Sequence, residues 1–92
     1  MELKECLAVA GAQRSGSAPI QAPDAAEIDE ILALAGAVAH ASERKAAPVA
    51  AYALGLAWSS LDRDERLRLL RSATAAIDAA ATGQAGAEAG GS

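Results

Sequence analysis

The stretch DAAEIDEILALAGAVAHAS, residues Asp24 to Ser42, decides the fold. Asp24 and Glu27 stand at capping-box spacing, where side chains satisfy amide groups that a first helical turn leaves without partners. Ile28, Ile31, Leu32, Ala35, Val38, Ala39 and Ser42 then follow at i, i+3, i+4, i+7, i+10, i+11 and i+14. That period predicts an amphipathic helix with those residues inward. Glu43, Arg44 and Lys45 mark its exit, with two cations near the negative end of the helix dipole.

Downstream, Pro48 fits the first turn of a second central helix, Pro48 to Ser60, where its missing amide costs nothing. Val49, Tyr52, Ala53 and Leu56 form one face of it, and Leu54 and Trp58 the opposite one. The helix carries no charge. A helix apolar all round is buried or covered by a partner. A turn at Ser60 to Asp62 leads into a further helix, with Asp62 and Glu65 again at capping-box spacing. Its expected inner stripe is Leu69, Leu70, Ala73, Ala76, Ile77 and Ala80. Arg66 lines up with that stripe, so its guanidinium should reach outward from the mouth of the core. Gly83 is expected to end the helix.

Upstream, Glu2 to Ala12 reads as a short helix, with Leu3, Leu7 and Ala10 at i, i+4 and i+7, Cys6 beside them and Gly11 near the end. So short a helix needs docking to persist. Ser15, Gly16, Ser17, Pro19 and Pro23 mark a linker, with Ile20 expected to pin it onto the bundle. The expected organisation is a helix over 1–12, a linker over 13–23, a helical core domain over 24–82 and a disordered tail over 83–92. The fold class is all-α, a small three- to four-helix bundle with a flexible N-terminal linker and a disordered C-terminal tail.

Composition bounds the rest. Of the chain's 92 residues, 27 are Ala, only 17 are Leu, Ile or Val, and none is Phe. Alanine favours helix but buries little area, so the helices should approach closely around a thin core. Such proteins gain stability by association. A net charge of −4 argues against nucleic acid as a partner. The one thiol, Cys6, forms no internal disulfide. The longest uncharged run, Ala46 to Leu61, is shorter than the roughly 20 apolar residues of a membrane span. Residues 1–15 lack the basic start and apolar block of a signal peptide. These readings point to a cytoplasmic protein with no membrane partner.

No catalytic set, metal-ligand spacing or phosphate loop stands out, so no enzyme activity, metal or cofactor is expected. His40, the only histidine, shares the back of the first central helix with Asp29, Ala33, Gly36 and Ala37. A lone His without Cys, Ser or carboxylate partners reads as structural or surface. Ala33, Gly36 and Ala37 are small where a solvent face would carry Lys and Glu. Another helix of this chain packs there, or a partner does. Leu54 and Trp58 make a second such surface, since Trp anchors interfaces as well as cores. Arg44 and Lys45, in the bend with His40, sit close to a helix N-terminus and so are candidates for a small anionic ligand. The Arg-rich helix from Asp62 interleaves its cations with carboxylates, the pattern of a solvated face.

From Ile28 onward, over about half its length, the chain resembles a family of small actinobacterial helical domains of unknown function. These occur alone or joined to the C-terminus of a molybdenum-cofactor guanylyltransferase-like nucleotidyltransferase. The likeness rests on Ile31-Leu32-Ala33-Leu34-Ala35, Val38-Ala39-His40, Arg44-Lys45-Ala46-Ala47-Pro48-Val49 and Tyr52-Ala53-Leu54-Gly55-Leu56-Ala57. Lys45 stands where the family pattern has a proline. The resemblance implies a context, maturation of the molybdenum cofactor, and gives weight to His40 and Arg44. The expected function is a non-enzymatic accessory or interaction module that binds a protein partner or a second copy. The alternative is a domain that binds a small anionic ligand or cofactor at the His40 to Pro48 bend.

Overall fold

The computed structural model describes residues 1–16 and 20–89, with side chains through residue 83. Four helices follow in order: α1 (Leu3–Gly11), α2 (Ala25–Ala41), α3 (Ala46–Ala57) and α4 (Arg63–Ala89). The caps form as the spacing requires. The Asp24 carboxylate accepts from the Glu27 amide at 3.0 Å, and Asp62 accepts from the Glu65 amide at 2.9 Å. Pro48 falls in the first turn of α3.

Helix α2 is the centre. It packs against both α3 and α4, which do not approach each other closely along the described backbone. A bend over 42–45 turns α3 back antiparallel to α2. A second short turn then starts α4 parallel to α2, as the order of the ion pairs shows. Arg63 bonds Asp24, Arg66 bonds Glu27 and Arg71 bonds Glu30, with both partners advancing along the chain together. The buried apolar side chains among the described residues are Leu34, Ala37, Leu67 and Leu70. That is the thin core which so much alanine predicts.

The phase of α2 differs from the one its apolar residues predict. Leu32, placed inward by the periodicity, is 63% exposed, whereas Glu27, Leu34 and Ala37 are buried. Ile28, Ile31, Ala35, Val38 and Ala39 of the predicted stripe are half-buried, and the fully buried Glu27, Leu34 and Ala37 extend the inner arc to one side of it. The cause is electrostatic. Glu27 and Glu30 lie on the inner side because Arg66 and Arg71 of α4 neutralise them there. A charged residue belongs near a core only when so paired.

Of the two apolar faces of α3, one turns outward. Leu54 and Trp58 are half-buried against the other helices, while Val49, Tyr52 and Leu56 are exposed. In α4 the buried leucines are Leu67 and Leu70, and Ala76 and Ala80 face out. Gly83 does not end α4, which continues to Ala89. Glycine costs a helix only about 1 kcal/mol relative to alanine. As a stop signal it adopts the left-handed conformation, which Gly83 does not. Of the tail expected over 83–92, residues 90–92 lie outside the described residues.

Helix α1 touches none of the other three helices among the described residues. Ile20 does not pin the linker to the bundle. It packs on α1, so close to Gly11 that a Cβ there would lie 3.2 Å from its Cδ1. Glu2, Leu3 and Lys4 share a shallow groove with Ile20, Gln21 and Ala22. The extended end of the linker, residues 20–22, therefore lies along α1. Gly16, just before it, has φ of 78°, a left-handed conformation that glycine adopts without a Cβ clash.

Candidate functional site: an apolar cleft beside α3

Because α3 and α4 diverge from α2 without meeting, a cleft opens between them. Its volume is about 340 Å³. Helix α2 contributes Glu27, Ile31 and Leu34. Helix α3 contributes Ala51, Tyr52, Leu54, Gly55 and Trp58, and α4 contributes Arg66 and Leu70. The surface is almost wholly apolar, with one ion pair at its edge. That is the composition of sites that take an apolar body and orient it by a few polar groups.

The ion pair is held from several directions. Arg66 Nε donates to Glu27 Oε2 at 2.9 Å, and Nη1 donates to the Leu61 carbonyl at 2.6 Å. Arg66 thus ties the α3–α4 turn to α2. Its bond to Glu27 raises the guanidinium pKa further, against the opposing effect of burial. At the outer end, Asp24 is held at about 2, below its ordinary 3.8. The hydrogen bond from Arg63 is the largest cause, followed by the Glu27 amide. Asp24 raises the Arg63 pKa in return. These pairs neutralise one another, which leaves the cleft apolar in character.

The residues singled out by sequence divide. Leu54 and Trp58 line the cleft. Ala37 is buried in the bundle, two turns on from Glu30 on the side of α2 that meets α4. Ala33, Gly36 and His40 are exposed, and no atom of another residue would contact a Cβ on Gly36. Arg44 and Lys45 are exposed in the bend. Lys45 borders a shallow groove with Val38, Ser42 and Val49. His40 does not line that groove, lying about 200° around the helix from Val38. Of the three candidates for an anion site, only Lys45 lines that groove.

Sequence reasoning missed Ile31, Leu34, Tyr52, Gly55 and Leu70 as neighbours around one opening. No local signal marks it, because the gap arises from two helices that fail to meet. Arg66 on an apolar stripe was the one legible sign. Among the described residues no group of three or more His, Cys, Asp or Glu is assembled, and no helix is long and apolar enough to cross a membrane.

Two helices flanking a central α2, with an apolar opening and a charged rim, define a small all-helical domain. The chain belongs to the DUF6457 family, a domain of unknown function whose profile matches residues 2–89. The match takes in α1 and the linker, well beyond the half of the chain on which the sequence likeness rested. No curated protein and no solved structure matches the chain.

Proposed function

We propose that the chain is a non-enzymatic interaction module that receives an amphipathic helix of a protein partner beside α3. One observation carries this reading. Helix α3 has no charged residue, yet Val49, Tyr52 and Leu56 are 68%, 71% and 61% exposed. The apolar cleft borders the same helix on its inner side, and Tyr52 belongs to both surfaces. Contiguous exposed apolar surface of this kind marks interaction sites. Helix-in-groove binding uses anchors at i, i+3, i+4 and i+7 against such a groove. The resemblance to a domain joined to molybdenum-cofactor guanylyltransferase-like proteins supports a partner among molybdenum-cofactor enzymes or their maturation factors.

An anionic ligand at the His40 to Pro48 bend has less support. His40 points away from the groove that Lys45 borders, and Pro48 removes one amide donor from the start of α3. The interaction reading is tested by affinity purification from the native cell with the wild-type chain, Tyr52→Glu and Leu32→Glu in parallel. Both substituted residues are exposed, so both variants should fold. The expected result is a helical partner retained by the wild type and Leu32→Glu and lost by Tyr52→Glu. Identical recovery with all three chains would overturn the reading. Recovery of proteins unconnected with molybdenum would overturn only the cellular context.

A further inference from the structure

We infer that the cleft is a binding site for a small, neutral, planar ring compound with an amide edge, an N–H donor beside a C=O acceptor. The inference does not rest on the partner reading. That reading is carried by the outer face of α3, whereas the ligand lies on its inner side.

Two polar atoms make the cleft more than an apolar surface. Arg63 forks onto Asp24 through both Nε and Nη2. Arg66 meets Glu27 through Nε alone, and its Nη1 is taken up by the Leu61 carbonyl. Among the described residues, Nη2 of Arg66 therefore has no acceptor and Oε1 of Glu27 no donor. Glu27 is only 8% exposed, and both side chains line the cleft. No wholly buried side-chain oxygen or nitrogen among the described residues lacks a partner, so Oε1 keeps what little exposure Glu27 has. An acceptor and a donor thus stand side by side at the edge of an apolar space, each with a bond still to make.

Charge decides which group fits them. Glu27 and Arg66 neutralise each other, so the edge offers no net field to an ion. A ligand carboxylate would face Glu27 and an ammonium would face Arg66, and either would give up its water to do so. A neutral amide edge matches both atoms. Its N–H donates to Oε1 and its C=O accepts from Nη2, and bonds to ionised partners are the stronger kind.

The remainder of the cleft fits a ring. Trp58 and Tyr52 present aromatic surface, and Ile31, Leu54 and Leu70 close the space around it. Its volume of about 340 Å³ is more than twice the roughly 150 Å³ in which benzene is held, which leaves room for two fused rings. Gly55 keeps the α3 side open. A Cβ placed there would meet no neighbouring side chain or helix within 4 Å among the described residues. Glycine weakens a helix interior, and here no close approach requires it, so what Gly55 contributes is space.

Titration of the isotope-labelled full-length chain with 2-quinolone, a bicyclic lactam, tests the inference. The expected result is a saturable shift of the Trp58 indole and Gly55 amide resonances. N-methyl-2-quinolone lacks the N–H and naphthalene lacks both polar groups, so each should bind about tenfold more weakly or worse. Gly55→Leu fills the cleft from a position with room for a side chain, and should abolish the shifts while helix content is kept. Absence of saturable shifts, shifts confined to residues outside the cleft, or equal affinity for 2-quinolone and its N-methyl derivative would overturn the inference. So would undiminished binding by a folded Gly55→Leu chain. If that variant does not fold, the ligand series on the wild-type chain decides alone. No partner enters the titration, so its failure leaves the partner reading standing, and failed partner capture leaves the ligand site standing.

Discussion

Helices α3 and α4 flank the same central helix and are held to it by different chemistry. Helix α4 sends Arg63, Arg66 and Arg71 to three carboxylates of α2 and buries Leu67 and Leu70. Helix α3 has no charge to offer and no fully buried residue. It rests on half-buried Ala47, Ala50, Ala51, Leu54 and Trp58. Ion pairs fix register, because a slip of one residue separates every pair. Alanine contacts fix it weakly, since they bury little area. The α2–α4 pair is thus the structural spine, and α3 is the helix left with surface to spare.

Breaking the spine should have the largest effect. Leu34 is 1% exposed and faces both flanking helices. Leu34→Ala should cost about 2–5 kcal/mol. At about 4–8 °C per kcal/mol for a domain of this size, thermal melting should fall by tens of degrees or disappear. Urea titration would show whether α3 separates from α2 first.

The Glu27–Arg66 pair should come next, and unequally. Arg66→Gln strands a buried carboxylate, whereas Glu27→Gln leaves a guanidinium that is one-third exposed and still bonded to the Leu61 carbonyl. The urea midpoint should therefore drop more for Arg66→Gln than for Glu27→Gln. Equal drops would show that the pair does not protect a buried charge.

At the outer end of the ladder the effect is smaller and depends on pH. Asp24 titrates at about 2 in the folded chain against an ordinary 3.8. A depressed carboxyl pKa contributes stability above 3.8 and loses it as pH falls through 2. Arg63→Gln should raise the Asp24 pKa toward 3.8, although the Glu27 amide will hold it somewhat lower. The stability gap between variant and wild type should close as pH falls through this window. Carbon-detected titration of the Asp24 carboxyl checks the shift.

The smallest effect sharpens the phase of α2. Leu32 is exposed, so Leu32→Glu should change stability by no more than about 0.5 kcal/mol. A loss of several kcal/mol would restore the phase expected from the apolar stripe.

That residue also shows what the sequence could convey. All four helices, the Asp24 and Asp62 caps and the place of Pro48 were legible, because each depends on neighbours within a few residues, whereas Arg66, expected to reach outward, turns onto Glu27 of the inner side. The phase of α2 was not legible. Counting apolar residues put Glu27 and Glu30 outside, and only partners some forty residues away bring them in. The inner face of α3 was illegible for a simpler reason, since both of its faces are apolar and a helical wheel cannot choose between them. Of the site, Leu54 and Trp58 were found as an uncharged surface, but not the opening they border. Of His40, Arg44 and Lys45, close in sequence, only Lys45 borders the groove beside Val38.

Native-state amide hydrogen exchange tests the division between spine and free helix most directly. Low-stability elements open and exchange at lower free energy than the element that carries the core. Amides of Ala51 to Ala57 in α3 should exchange well before those of Leu67 to Thr74 in α4 and Leu34 to Val38 in α2, and should gain protection when the partner helix binds. Equal protection of α3 and α4 in the free chain would contradict the division, and with it the case for α3 as the docking face.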